Sequence, residues 1–551
     1  MTTIYLRDVA PESVSMVALL ESRAAEDAAR TFFTWGEERY ALGTFDEAVD
    51  RMAGNLQAFG ISTGTHVAVL MDTSPDYLTL WFALAKLGAV EVPINTAYLG
   101  DLLRHQLTTS GATVAVVDAA YASRITAIEA DATMLETLVV RGPAEIGAGS
   151  LRRHDFSSLL SDGPAFAPSS RPAHHTTAGI IFTSGTTGPS KGVLLSHHYL
   201  AAYGYMYAEV NGLASDDVVF NFMPFFHMGA KFLTIATLVC GGMMRLAPRL
   251  SISTFADEVR AHGITNFVGV GGICNMLLSK PAREDDAKAS IRTVYAVPDP
   301  AESHDELEQR FSCRVTTVYG STEAGLPIWR GVTDAYRAGS CGRASPYYEV
   351  RVVDDYDNEV PAGESGQFVV RPKLPFLVGS GYVGMPEQTI RAWRNLWLHT
   401  GDRGRVDTDG HFYFEDRATD TLRRRGENIS SFEVESLVTQ HPAVSEAVAV
   451  AAPSGIGEDE VRVLVILREG ESMTPEELLQ HCSTTMPYFM VPRYIDIVDD
   501  LPRTPTAKVE KYKLRAEGLT PATWDREAHG WRVKREGLTR EALGEALRPH
   551  G

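Results

Sequence analysis

Apolar residues recur along this chain with two alternating periods. Residues 14–29 and 45–59 carry them at helical spacing, and Gly60 stops the second run. Residues 66–71 then form a short continuous apolar run of the strand kind. Residues 75–87 read as a helix stopped by Gly88, 89–94 as a strand, 102–109 as a helix and 112–117 as a strand. Strand–helix–strand at this spacing predicts parallel sheet covered by helices, because parallel neighbours need a crossover and a helix supplies it. The stretch 142–177 is rich in Ala, Gly, Pro, Ser and His and reads as an irregular surface connection. The alternation then resumes, with helices at 196–210, 232–239, 255–262 and 303–311 and strands at 218–222, 265–270, 291–297 and 315–318. From Val350 the runs become short alternating strands with turns at 354–358 and 361–366, the pattern of a β-rich subdomain. After Thr419, helices at 432–440 and 475–482 and strands at 444–451 and 461–467 fit a small α+β domain of about 130 residues. The fold class expected is α/β, with a large N-terminal domain over 1–418 and a small C-terminal one over 419–551.

Composition narrows the function. At 551 residues the chain exceeds one core, and its 44% hydrophobic and 22% charged content is that of an ordinary soluble protein. A net charge of −19, from 70 acidic and 51 basic residues, argues against nucleic acid or an anionic membrane as main partner. An anionic ligand needs a local basic site, and Lys191 and the run Arg423, Arg424, Arg425 offer one. The five cysteines are scattered without close pairs, so neither a disulfide framework nor a zinc site is expected. No apolar run approaches the roughly 18 residues of a membrane span. The early Asp8 and Glu12 do not fit a signal peptide, and Arg-Pro-His-Gly at the end is no peroxisomal tripeptide. A cytoplasmic location is the expectation.

The chemistry concentrates first in Ile181-Phe-Thr-Ser-Gly-Thr-Thr-Gly-Pro-Ser-Lys-Gly-Val193. Thr183, Ser184, Gly185, Thr186, Thr187 and Gly188 offer hydroxyls and unobstructed backbone N–H groups, and Lys191 adds a cation. Those are the parts that hold a polyphosphate. A Walker A loop needs Gly-Lys-Ser/Thr in sequence, whereas Lys191 here lies between Ser190 and Gly192. A P-loop kinase or ATPase is therefore disfavoured.

In its residue order this loop resembles the phosphate loop of the acyl-adenylate-forming enzymes, which include acyl-CoA synthetases, firefly luciferase and peptide-synthetase adenylation domains. Further segments match the same family in order and spacing over about residues 15–515. Tyr319-Gly320-Ser321-Thr322-Glu323 matches its Tyr-Gly-x-Thr-Glu signature. The resemblance implies that Thr322 contacts the α-phosphate and that Glu323 helps hold Mg2+. Thr400-Gly401-Asp402, with Leu398 where a Tyr is usual, implies that Asp402 accepts both ribose hydroxyls, and Arg417 is implied to reach the same ribose. Arg425-Gly426-Glu427 matches the loop that faces the active site during thioester formation. Lys508 matches the lysine that carries an ammonium to the α-phosphate and carboxylate during adenylation. Ala296, Val297 and Pro298 stand where the family lines the adenine and acyl pocket. The implied reaction has two steps: ATP and an acid give acyl-AMP and pyrophosphate, then coenzyme A displaces AMP after the mobile C-terminal domain turns about a hinge near 417–420. The run Arg423–Ser430 and the tail at 524–535 look most like the crotonobetaine/carnitine–CoA ligase-like branch.

Besides Leu398, two positions and one segment depart from the family: Thr419 replaces the usual Asp or Lys at the hinge, Ala507 the usual Gly before the lysine, and Tyr295-Ala296-Val297-Pro298 a Gly-Ala-Pro segment. They leave open a specialised member that forms thioesters from acyl-AMP supplied by a separate adenylating ligase. A non-catalytic nucleotide-binding protein on the same fold and a luciferase-like oxygenase also stay open. The resemblance implies that His227, Gly229, Lys231, Gly271, Gly272 and Tyr295 line the acyl pocket, with Phe225 as readily core as pocket. This lining favours a sizeable, largely hydrophobic acid. No Asp lies between Phe225 and Leu238 to pair an amino acid's amine. No carrier domain is attached, so free coenzyme A is the expected acceptor. A homodimer is compatible with the sequence.

Overall fold

The computed structural model describes residues 5–131, 134–143, 149–164, 166, 171–183, 189–270, 273–301, 303–417, 421–424, 427–454, 458–503 and 509–540. Its elements start and stop where side-chain chemistry dictates. The helix Pro75–Leu87 opens with Pro75 in its first turn, Ser74 accepts the Tyr77 N–H, and Gly88 closes it at φ 70°. The helix His197–Asn211 follows the same logic, with Ser196 accepting from Tyr199 and Gly212 at φ 56°.

Two sheets organise the larger compact unit, which comprises residues 1–96, 104–183 and 192–418. The first has seven strands in the spatial order Arg152–Asp155, Thr137–Arg141, Val114–Asp118, His66–Leu70, Val90–Pro93, Thr177–Thr183, Lys191–Ser196. Its pairings from Arg152–Asp155 across to Thr177–Thr183 are parallel. The expectation of an irregular connection over 142–177 is corrected by the strand Arg152–Asp155 and the short helix Ser157–Leu160. That strand lies at the sheet edge and reads Arg-Arg-His-Asp, so no buried apolar run marks it.

The second sheet has thirteen strands. Its parallel part holds Thr31–Trp35, Met243–Leu246, Val218–Asn221, Asn266–Val270, Thr293–Val297 and Arg314–Ser321. Gly325–Arg330 then reverses direction, and the β-rich region continues the same sheet through Gly342–Ala344, His411–Arg417, Leu398–Val406, Gly366–Pro372 and Tyr348–Val353, all antiparallel. The helices His197–Asn211 and Met228–Cys240 are buried over nearly their whole length and belong to the main core. The second begins four residues before its continuous apolar run, because Lys231 in its first turn masks the pattern and is itself buried.

The smaller unit comprises residues 97–103, 184–191 and 419–551. Its main sheet orders Val444–Pro453, Asp459–Leu467, Tyr494–Ile497 and Trp524–Asp525. The helix Pro475–Thr485 carries a capping box between Thr474 and Glu477.

Candidate active site

The strand Arg314–Ser321 carries Tyr319, Gly320 and Ser321, and the chain then reverses through Thr322 and Glu323 into Gly325–Arg330. Glycine is required twice here: a Cβ on Gly320 would collide with the Gly325 carbonyl oxygen, and Gly325 has φ +74° with the Tyr348 hydroxyl in the space a Cβ would fill. The Ser321 hydroxyl accepts the Ala324 N–H at 3.1 Å, and Tyr199 donates to the Thr322 carbonyl at 2.7 Å. Glu323 is fixed at both ends. Its carbonyl accepts from Gly379 N–H at 2.8 Å, and its Oε1 accepts from the Thr183 hydroxyl at 3.2 Å and the Tyr382 hydroxyl at 3.3 Å. Tyr382 is held in turn by its N–H on Thr389 Oγ1 at 2.9 Å. Burial, and then Glu323, push the Tyr382 phenol far above its ordinary range, so it stays a donor. Among the described residues, both side-chain hydrogen bonds to the Glu323 carboxylate fall on Oε1. A carboxylate oxygen is the ligand a hard divalent ion takes, so Glu323, held by Thr183 and Tyr382, fits Mg2+.

Asp402 lies on Leu398–Val406 and is 7% exposed. Its Oδ2 accepts from the Tyr319 hydroxyl at 2.7 Å, and its N–H donates to Thr400 Oγ1 at 3.1 Å. The Tyr319 ring packs against Phe368 at 5.1 Å and Phe414 at 6.2 Å. Asp402 and Arg417 are directly opposed in the ladder between their strands. In spatial order Tyr319 and Asp402 are four strands apart, about 19 Å on a flat sheet. One hydrogen bond joins them, so the sheet curls over to bring the two together.

Ala296 and Val297 end the strand Thr293–Val297, in register with Gly269 and Val270, and the Val297–Pro298 bond is cis. Ala296 is fully buried, and its carbonyl accepts from Thr317 at 2.7 Å. The next residue after that bond, Asp299, binds Arg330 and sits 3.1 Å from His304 Nδ1, all three being nearly buried. Tyr295 is buried in an aromatic cluster with Tyr207 at 4.7 Å and Phe232 at 6.0 Å. His227 is half-buried at the N-cap of Met228–Cys240, and Gly229 packs against Met223. Phe225 is core at 1% exposure. Lys231 is paired with Glu91 Oε2 at 2.6 Å, both side chains being sealed from solvent.

Lys191 opens the strand Lys191–Ser196. Ser184–Gly188, Gly271, Gly272, Arg425, Gly426 and Lys508 lie outside the described residues, as do Thr419 and Ala507. In the smaller unit Glu427 opens the strand Glu427–Ser430. Nearby Glu433 accepts from Ser190 N–H at 3.2 Å, and burial pushes its carboxyl up to about 7. Sequence reasoning missed Tyr199, Tyr382, Asp299 and Glu91. Tyr199, Tyr382 and Glu91 reach the site from distant segments, and Asp299 follows Pro298 directly, but its partners Arg330 and His304 are brought to it only by the fold.

The Thr322–Glu323 turn and the Tyr319–Asp402 pair on a thirteen-stranded sheet, with a separate α+β unit, are the arrangement of an adenylate-forming enzyme. Residues 20–383 match the AMP-binding enzyme model and residues 433–508 that of the AMP-binding enzyme C-terminal domain. The chain belongs to the AMP-binding enzyme family. Within it, this is an AMP-forming acyl-CoA synthetase, a ligase. Crotonobetaine/carnitine–CoA ligase of Salmonella paratyphi B is 32% identical over 487 residues, covering 87% of this chain and 93% of the relative. o-Succinylbenzoate CoA synthetase of Bacillus subtilis, solved with a product analogue, superposes with a TM-score of 0.80 at 23% identity over 92% of this chain and 99% of that one. An anthranilate CoA ligase solved with anthranoyl-AMP gives 0.69 at 25% identity over 93% and 99%. Among the described residues no helix is long and apolar enough to cross a membrane.

Proposed function

We propose that this ligase activates a sizeable, largely hydrophobic carboxylic acid and carries out both half-reactions. The observation that carries this reading is the fixed turn at Thr322 and Glu323, with Glu323 pinned on one oxygen by Thr183 and Tyr382. An acid carboxylate oxygen attacks the α-phosphorus of ATP, the bond to the β-phosphate oxygen breaks, and pyrophosphate leaves. Ser184–Gly188 cradle the phosphates, Thr322 orients the α-phosphate, and Asp402 with Arg417 holds the ribose. Mg2+, when bound at Glu323, neutralises charge on the phosphate oxygens. Lys508 brings its ammonium to the α-phosphate and carboxylate in this step, with Lys191 as the second cation. The thiolate of coenzyme A then attacks the acyl carbonyl, and AMP leaves. Residues 1–418 and 419–551 act as separate domains about a hinge at 417–420, and Arg425, Gly426 and Glu427 serve the second step.

Ala296 adds no bulk to the pocket in this reading, because its side chain is buried and its carbonyl is bonded to Thr317. That removes Ala296 as a ground for a member restricted to thioester formation. The test offers each acid of a hydrophobic panel in two forms, free with Mg-ATP and as synthetic acyl-AMP, with coenzyme A and acyl-CoA read by mass. Product from both forms is expected. Product from acyl-AMP alone overturns the complete-ligase reading and directs the search to a separate adenylating partner.

A further inference from the structure

Lys231, predicted to line the acyl pocket, is buried behind the candidate acyl wall, and the structure assigns it a partner inside the protein. Its Nζ lies 2.6 Å from Glu91 Oε2 and 4.3 Å above the Trp81 ring centroid. Tyr77 donates to Glu91 Oε1 at 2.9 Å, and the Phe225 ring stacks on Tyr77 at 4.9 Å. Phe225 lies 5.9 Å from the ammonium and leads directly into the 226–229 segment of the wall. Lys231, Glu91, Tyr77, Trp81 and Phe225 are all almost fully buried. The cluster therefore brings one positive and one negative charge together behind the wall, with the aromatic faces that receive a cation already filled by the chain's own ammonium.

We propose that Glu91, by neutralising Lys231, restricts the enzyme to acids whose only ionised group is the carboxylate that reacts. A second carboxylate on the acid finds Lys231 already paired, and a fixed cation finds Trp81 and Tyr77 occupied. Either charge is then desolvated without a partner, which is costly in a closed apolar site. The proposal rests on the acyl-CoA ligase reading and narrows its substrate class. Glu91 and Lys231 act as specificity determinants and take no part in bond making.

The test uses the full-length protein with Mg-ATP, coenzyme A and matched acids on two skeletons, linear C12 and 3-phenylpropanoic. Each skeleton is supplied with an uncharged end, a distal carboxylate and a distal trimethylammonium. The uncharged acid is expected to be preferred in kcat/KM by about a hundredfold over either charged form. Glu91→Gln leaves the lysine without its counter-charge and is expected to shrink the preference over the distal carboxylate at least about tenfold, with the preference over trimethylammonium unchanged. The double variant Glu91→Gln/Lys231→Met is neutral again. It is expected to keep the wild-type ratio over the distal carboxylate within about threefold even where the single variant fails to fold, because a buried pair exchanged for neutral groups of similar size is tolerated. Efficient use of a distally charged acid by the wild type overturns the proposal while leaving the ligase reading intact. So does a folded Glu91→Gln protein with an unchanged ratio over the distal carboxylate, or a double variant that loses its preference over the distal carboxylate. Failure of every acid, in free and acyl-AMP forms alike, overturns the ligase reading and this proposal with it.

Discussion

The Tyr382 hydroxyl donates to a carboxylate that the proposed reaction needs charged and correctly aimed. Tyr382→Phe removes one donor on Glu323 Oε1, leaving Thr183. A hydrogen bond to a charged group contributes about 1.5 kcal/mol, so acid-dependent pyrophosphate release is expected to fall about tenfold, with the melting temperature close to wild type. Glu323→Gln is expected to slow the same release by about 100- to 1000-fold, the scale for losing a group that stabilises developing charge. Tyr319→Phe releases Asp402 Oδ2 and is expected to raise KM for ATP with little change in KM for the acid, read from initial rates. A pyrophosphate assay in which Tyr382→Phe matches wild type would remove that residue from the positioning role.

At the scale of elements, Asp299 ties the Val297–Pro298 segment to the strand Gly325–Arg330 and to the helix His304–Phe311. Asp299→Asn leaves the buried Arg330 guanidinium without its counter-charge, an expected loss of about 3 kcal/mol in urea unfolding. KM for ATP should rise in parallel, and conversion of Arg330 to Lys should recover neither. This tie also marks what a sequence reveals and what it hides. Pro75–Leu87 is legible because Ser74, Pro75 and Gly88 announce both its ends. The turn at Thr322 and Glu323 is legible because its residues are contiguous. Arg152–Asp155 is not, since an edge strand of polar residues has no apolar alternation to show. Nor is the pairing of Lys231, which reads as polar until its partner Glu91, 140 residues away, is seen beside it. Contacts closed by tertiary folding leave no local spacing to read.

Across the whole molecule the two compact units should respond to pH in opposite directions. His197, in the larger unit, is buried with neither ring nitrogen hydrogen-bonded among the described residues, and burial lowers it to about 4. Its folded value lies below the ordinary 6.5, so its neutral form favours the fold fully above about pH 6.5. That contribution is lost as pH falls toward 4, about 2 kcal/mol by pH 5. Glu433, in the smaller unit, is raised to about 7, so its protonated form favours the fold below about pH 4.5, and this is lost as pH rises through 7. Calorimetry at pH 5 and 7.5 is expected to show His197→Phe reducing the acid sensitivity of the larger unit's transition. Glu433→Gln is expected to flatten the alkaline loss of the smaller unit's transition. Unchanged pH profiles in both variants would sink the assignment.

The curl of the thirteen-stranded sheet has a consequence for how such an enzyme changes over generations. Asp402, Tyr319, Thr322, Glu323 and Ala296 all sit on one hydrogen-bonded frame or at the turn it carries, closed by the Tyr319–Asp402 bond. Their spacing is set by strand geometry and cannot drift one residue at a time. Residues 223–231 belong to a strand-end loop and the first turn of a helix, outside that frame. That stretch, with Glu91 as its electrostatic counterpart, behaves as an exchangeable cassette. Grafting it together with position 91 from another ligase should transplant acid preference while the affinity for ATP stays put.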